Sequence, residues 1–394
     1  MMKDVSIKRI APVLGLLGAI GPLSIDMYLP GMPLIAADLG VNEGMVQYSL
    51  MSFFIGLMIG QLFYGPASDK FGRRSMIFIG LSIFTVASIA CSLGNTADEL
   101  IVWRFAQGFG GSIGMVIALA IARDLFVGRQ AATLVGVIMV VTGVAPIIAP
   151  LLGTAILKIL PWPLLFVLMA LFSAFCLFLV AEQLPETRTK LLRKESNPLE
   201  AVKNYGRLLC KRNFIAYAGT QAFAQAGFLA YLAGSSFVYI SVYKVSPVIY
   251  SLLFALNAIG MIGGAQLAPQ LMKYFNPKTI IRGALLVYTI VAILLVMLQI
   301  SGSARLLWVA LLLFLVVSSL GCIVPLSGTL ALESYGNISG TASALIGALQ
   351  FGVGAIASFF VGVAADGTAL PMVATIALSG FAACSIAFCC FPHR

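Results

Sequence analysis

Residues 46–93 read VQYSLMSFFIGLMIGQLFY, then GPASDKFGRRS, then MIFIGLSIFTVASIACSL. The two outer runs hold no charged residue, whereas the turn between them carries Asp69, Lys70, Arg73 and Arg74. An uncharged apolar run of about 20 residues crosses a hydrocarbon core of ~30 Å as a helix that rises ~1.5 Å per residue. The stretch therefore reads as two membrane-spanning helices joined by a short charged turn, and the same alternation recurs along the chain.

Composition demands this reading of the whole. Of 394 residues, 60% are hydrophobic and 10% charged, with a mean hydropathy of +1.04; soluble domains carry roughly 25% charge. No room is left for a large water-facing domain. The expected fold is all-α, a polytopic membrane protein with twelve transmembrane helices in two six-helix bundles. The first six spans are expected at residues 10–29, 46–64, 76–93, 99–121, 131–157 and 164–180, and the second six at 214–242, 248–267, 280–300, 306–330, 342–363 and 372–391. Lys3, Lys8 and Arg9 before an apolar run imitate a signal peptide, but no small-residue cleavage site follows, and Asp26 and Pro30 interrupt the run.

A net charge of +10 would suggest nucleic acid as a partner in a soluble chain. Here the basic residues fall between spans. With both termini cytoplasmic, twenty of the twenty-four Lys and Arg residues lie on the inner side, including Arg394, with Lys158, Lys244 and Arg305 outside and Arg104 within a span. The excess is a topology signal, and no nucleic acid is expected. Seven cysteines without paired metal spacing, and a single histidine, His393, leave no metal site, cofactor or catalytic cluster to expect, so the chain is not read as an enzyme.

The longest polar stretch divides the chain into residues 1–181, a linker at 182–213, and residues 214–394. Inside the linker Asn197 can cap, and Pro198 can start, a helix whose Leu199, Val202, Tyr205, Leu208 and Leu209 share a face, with Lys203, Arg207, Lys211 and Arg212 available to lipid headgroups. The turn at 69–74 finds a faint echo 204 positions later at Lys273–Lys278, as duplicated six-span halves would leave. Gly56 and Gly60, Gly110 and Gly114, and Gly260 and Gly264 put small residues on single helix faces, which permits close packing.

Ionisable groups inside a membrane are costly and become functional candidates. Asp26 lies sixteen residues into span one and Arg104 six residues after Asp98 in span four, so their depths agree and the side chains could meet. A static ion pair is the plain alternative to a proton-coupling role. Pro22, Pro30 and Pro33 surround Asp26 and weaken its helix.

With Gly65, Asp69, Gly72, Arg73 and Arg74 at these spacings, the turn resembles the loop between spans two and three of the major facilitator superfamily. That resemblance implies a latch at the cytoplasmic ends of the two halves in the outward-facing state. Leu100–Gly110, with Arg104 and Gln107, is similar to the span-four motif of proton-coupled members. Val141–Gly153 resembles the antiporter motif of drug exporters, with Pro146 and Pro150 as gating residues, although Ala145 and Ala149-Pro150 depart from the usual glycines. Ile25–Pro33 looks like the span-one signature of the twelve-span drug:proton antiporters of the bicyclomycin and chloramphenicol/florfenicol resistance group, and Leu184–Arg188 fits the same group.

The resemblance implies a monomeric, multi-pass transporter of the bacterial inner (cytoplasmic) membrane, whose partners are protons, the lipid bilayer and a small lipophilic drug that it exports by alternating access. Asp26 and Tyr28 would meet the substrate, joined from the second half by Gln221, Gln225, Phe228, Tyr231, Phe254 and Asn257, whose aromatic walls and sparse amides suit amphiphilic drugs. The rival expectation is a nutrient or metabolite proton symporter of the same fold.

Overall fold

The structure, a computed structural model, describes residues 7–391; Lys3, His393 and Arg394 lie outside the described residues. Its helices are α1 (Ile7–Asp26), α2 (Met32–Asp38), α3 (Glu43–Phe71), α4 (Arg73–Leu93), α5 (Ala97–Leu125), α6 (Gly128–Leu157), α7 (Pro163–Gln183), α8 (Lys190–Glu195), α9 (Pro198–Leu209), α10 (Arg212–Ser236), α11 (Pro247–Leu271), α12 (Pro277–Ile300), α13 (Leu306–Leu332), α14 (Ser339–Val363) and α15 (Leu370–Cys390). No strand occurs among the described residues. Among the described residues twelve segments are long and apolar enough to cross a membrane, one for each expected span.

Local chemistry sets the boundaries. Proline opens α7, α11 and α12 at a position whose N–H would have no helical partner. Thr96 accepts from the Glu99 N–H at the start of α5, while the Glu99 carboxylate accepts from the Asn95 N–H at 2.8 Å. Asn197 accepts from the Leu199 N–H at 3.0 Å, capping the linker helix α9 as its sequence suggests.

Three spans differ from expectation. The first is broken: α1 ends at Asp26, a tight 3-10 turn follows at Leu29–Gly31, and α2 carries the span on to Asp38. Pro30 is the cause, because its ring excludes the helical bond to the carbonyl of Asp26, four residues earlier. The second runs through Gly65 and Pro66 to Phe71 instead of ending at Tyr64, so most of the charged turn is helix and only Gly72 interrupts it. The seventh finishes as a π-helix at Phe237–Val242.

Two compact units form: the described residues up to Tyr28 with Ser52–Asn204, and Leu29–Met51 with those from Tyr205 onward. Leu29–Met51 thus groups with the second half of the chain, where Tyr48 stacks on Phe359 at 5.7 Å. In the first unit α1 packs on α5, α6 and α7, and α4 on α5 and α7. In the second, α10 is enclosed by α13, α14 and α15, while α11 pairs with α13.

The paired glycines seat helix against helix. A Cβ on Gly264 would overlap the Ser318 carbonyl oxygen, and one on Gly321 would overlap that of Met261, so α11 and α13 meet backbone to backbone. Gly321→Ala is expected to destabilise by about 1–3 kcal/mol through overpacking. A thermal-unfolding midpoint in detergent should fall accordingly, while Gly263→Ala, which meets open space, should not move it.

Candidate functional site

The break in span one organises the first unit. Asp26, the last residue of α1, is buried, and neither an ion pair nor a hydrogen bond ties its carboxylate among the described residues. Next to it, the Met27 carbonyl presses on Gly153 of α6 so closely that any Cβ there would collide with it. The antiporter-like stretch of α6 thereby acquires a physical reason for its final glycine. Pro146 and Pro150 both sit inside α6, and Ala145, Ala149, Pro150 and Gly153 form its buried stripe.

Arg104 of α5 is wholly buried, yet the ion pair with Asp26 suggested by their depths is not made. Its guanidinium lies over three rings instead: Phe53 at 4.1 Å, Tyr28 at 4.7 Å and Phe166 at 5.9 Å. A cation is attracted to aromatic faces, more strongly where water is excluded. Nη1 donates to the Gln107 side chain and, at 3.3 Å, to the Ser24 carbonyl, while Nε and Nη2 have no hydrogen-bond partner among the described residues. Gln107 passes the network on to Ser88 of α4 at 2.7 Å.

Arg104 therefore touches both sides of the break: the Ser24 carbonyl in the last turn of α1 and the Tyr28 ring just after it. A cation on the terminal carbonyls of a helix satisfies groups that lack helical donors and complements the helix dipole. Tyr28 is further held against Phe166 of α7, ring centroids 5.7 Å apart. The geometry fixes the backbone turn beside Asp26 while leaving the carboxylate itself untied.

At the α3–α4 junction, Gly72 adopts φ +101°, the left-handed region glycine tolerates, and faces the Glu186 carboxylate. Glu186 accepts from the N–H groups of Arg73 and Arg74 at 3.0 and 3.2 Å, capping α4, and pairs with Arg193 of α8 at 2.9 Å. Arg73 is buried between Asp69 (2.8 Å) and Asp124 (3.0 Å), Arg188 approaches Asp69 at 3.8 Å, and Arg74 donates to the Ala181 carbonyl. Gly65 lies within α3, its carbonyl accepting from Ser68. Every one of these partners belongs to the first unit.

In the second unit the expected aromatic residues come together on α10 and α11. Phe228, Tyr231 and Phe254 stack in succession, with centroids 6.0 and 5.9 Å apart, and Asn257 donates to the Tyr231 hydroxyl at 2.9 Å. Tyr250 extends the cluster, 6.2 Å from Phe254 and 3.1 Å from Ser235 through its hydroxyl. Gln221 is buried against Gly328 of α13 with its side-chain oxygen unpartnered among the described residues, and Gln225, one turn on, is half-buried.

Phe53 and Phe166 were not among the expected site residues, because a phenylalanine in an apolar span carries no signal of its own. Glu186 and Gln107 stood inside quoted motifs without an assigned role. No group of three or more His, Cys, Asp or Glu able to hold a metal occurs among the described residues.

Comparisons with known proteins agree on the class. The sequence profile of the Major Facilitator Superfamily matches residues 14–358. The chain is 38% identical over 367 residues to the uncharacterized MFS-type transporter YdgK of Bacillus subtilis, covering 92% of this chain and 90% of that one. It is 30% identical over 364 residues to the bicyclomycin resistance protein homolog of Haemophilus influenzae, covering 92% and 91%. Among solved structures, a D-xylose-proton symporter superposes with a TM-score of 0.75 at 17% identity over 97% of both chains, a likeness of fold.

Proposed function

The chain belongs to the Major Facilitator Superfamily, and on that premise we propose that it is a transporter of the bacterial cytoplasmic membrane that exports lipophilic drugs in exchange for protons. The observation that carries the coupling is Asp26, a buried carboxylate at a helix break with no counter-charge in ion-pair reach among the described residues. An acid in low dielectric with no partner can settle its charge only by taking or releasing a proton, or by meeting a cationic or polar ligand. Drug and proton therefore compete for one group. The relative named for bicyclomycin resistance and the stacked rings of Phe228, Tyr231 and Phe254 support a drug as the ligand.

In the proposed cycle Asp26 releases its proton toward the cytoplasm, drug binds, the halves 1–181 and 214–394 rock about the linker 182–213, and an outer proton then displaces the drug. Both termini are cytoplasmic, and the monomer is the working unit. Arg104 keeps the turn beside Asp26 in shape throughout. Asp69, Arg73 and Arg74, whose partners here all lie in the first unit, latch the cytoplasmic ends of the two halves in the outward-facing state, and Pro146 and Pro150 let α6 bend.

The test is directional. In proteoliposomes with an imposed proton gradient, drug should leave the compartment that protons enter; drug moving with the protons would make the protein a symporter. Charge arithmetic sharpens the test. One proton exchanged for a neutral drug moves one net charge, whereas exchange for a monovalent cation moves none. Each charge crossing ~100 mV gains ~2.3 kcal/mol, so an imposed potential should accelerate export of the neutral compound alone. Equal sensitivity of both compounds would overturn the one-proton scheme.

A further inference from the structure

The linker helix α9 presents two apolar strips that meet different surroundings. Tyr205 and Leu208 are buried, whereas Leu199, Val202 and Leu209 stand 71%, 60% and 47% exposed. At ~100° per residue these three fall along one side of the helix, with Lys203 at its border and Glu200 on the far side. Only Cys210 and Lys211 separate α9 from Arg212, where the membrane-spanning α10 begins. Three chain steps reach at most ~10 Å, so the end of α9 stays within that distance of the mouth of a span. The neighbouring α8 adds exposed Leu191 and Leu192 between Lys190 and Lys194.

An exposed apolar strip bordered by lysine, tethered at the end of a membrane span, has the chemistry of a helix that lies in the bilayer interface. We infer that α9 is an interfacial helix that docks on anionic phospholipid of the cytoplasmic leaflet. Leu199, Val202 and Leu209 enter the acyl boundary, while Lys203, Lys211 and Arg212 take headgroup phosphates. Charge complementarity selects lipid over a second protein, since Lys203 borders the strip, Lys211 and Arg212 follow the end of the helix, and the inner leaflet is negative. The linker between the two halves is thereby held to the membrane surface by a contact separate from the transport site.

The experiment uses the full chain in nanodiscs of phosphatidylcholine alone or with about 30% phosphatidylglycerol. An environment-sensitive dye is placed at Val202→Cys or, as control, at Glu200→Cys, with the exposed Cys210 and Cys389 replaced by Ser. Headgroup-nitroxide lipid should quench the Val202 label at least about twofold more than the Glu200 label in the anionic discs. Lys203→Gln with Lys211→Gln should shrink that difference to its value in neutral discs. Equal quenching at Val202 in both lipid compositions would overturn recognition of anionic headgroups. Protection of Val202 from aqueous iodide without quenching by lipid nitroxide would instead show a protein covering the strip, a second copy or another chain, and would overturn the lipid assignment.

Discussion

Vesicles carrying Asp26→Asn should show drug accumulation no higher than vesicles without the transporter when a proton gradient is imposed, a loss of more than about 100-fold in driven transport. The amide keeps the size and position of the carboxylate at the end of α1, and Asn can occupy the same helix terminus, so insertion and folding should survive. What it removes is the exchangeable proton. Because no ion pair among the described residues involves Asp26, the substitution strands no buried partner there, unlike the breaking of a buried salt bridge, which costs about 3–5 kcal/mol. Substrate exchange without a gradient should therefore persist in the variant. Unchanged gradient-driven export by Asp26→Asn would remove this residue from the coupling mechanism, and loss of both activities with an intact thermal midpoint would make it a substrate contact alone.

Why the ion-pair expectation failed while the helix count held is a matter of range. Twelve apolar runs announce themselves because the hydrocarbon constrains each residue of a span separately, and Pro30 marks the break in span one through a clash only four residues long. The partners of Arg104 are set by packing among α1, α3, α5 and α7, and equal depth in a membrane does not place two side chains on facing sides of their helices. The stacked trio on α10 and α11 was legible because Tyr231 and Asn257 carry polar atoms that stand out against an apolar background. Glu186 shows the opposite case. Its partners, the N–H groups of Arg73 and Arg74, lie more than a hundred residues earlier, and nothing local in the chain relates them. Likewise the apolar face of α9 was readable as one stripe, but only packing divides it into buried Tyr205 and Leu208 and exposed Leu199 and Val202.

Replacing Arg104 should have the second largest effect, and the choice of replacement separates charge from shape. Lysine retains the positive charge but presents a point ammonium in place of a planar fork. It cannot lie flat on Phe53 and Tyr28 while donating to both the Ser24 carbonyl and Gln107, so at least one tie across the break is lost. A desolvated cation–π contact is worth about 2 kcal/mol, and a buried hydrogen bond from a charged donor about 1.5–3 kcal/mol. A combined loss of about 2–3 kcal/mol would slow transport about 30- to 160-fold if it falls wholly on the conformation that the cycle requires. Arg104→Lys is thus expected to lower the transport rate while leaving the proton-to-drug ratio unchanged, because in the proposed cycle the ratio belongs to Asp26. Phe53→Leu, which removes the nearest ring and leaves the guanidinium in place, should lower the rate in the same direction by a smaller factor. Stoichiometry measured from paired proton and drug fluxes distinguishes this from a direct proton-carrying role, in which the ratio would change along with the rate. Normal transport by Arg104→Ala would show that the turn beside Asp26 holds its shape without the cation, and the positioning role would have to be abandoned.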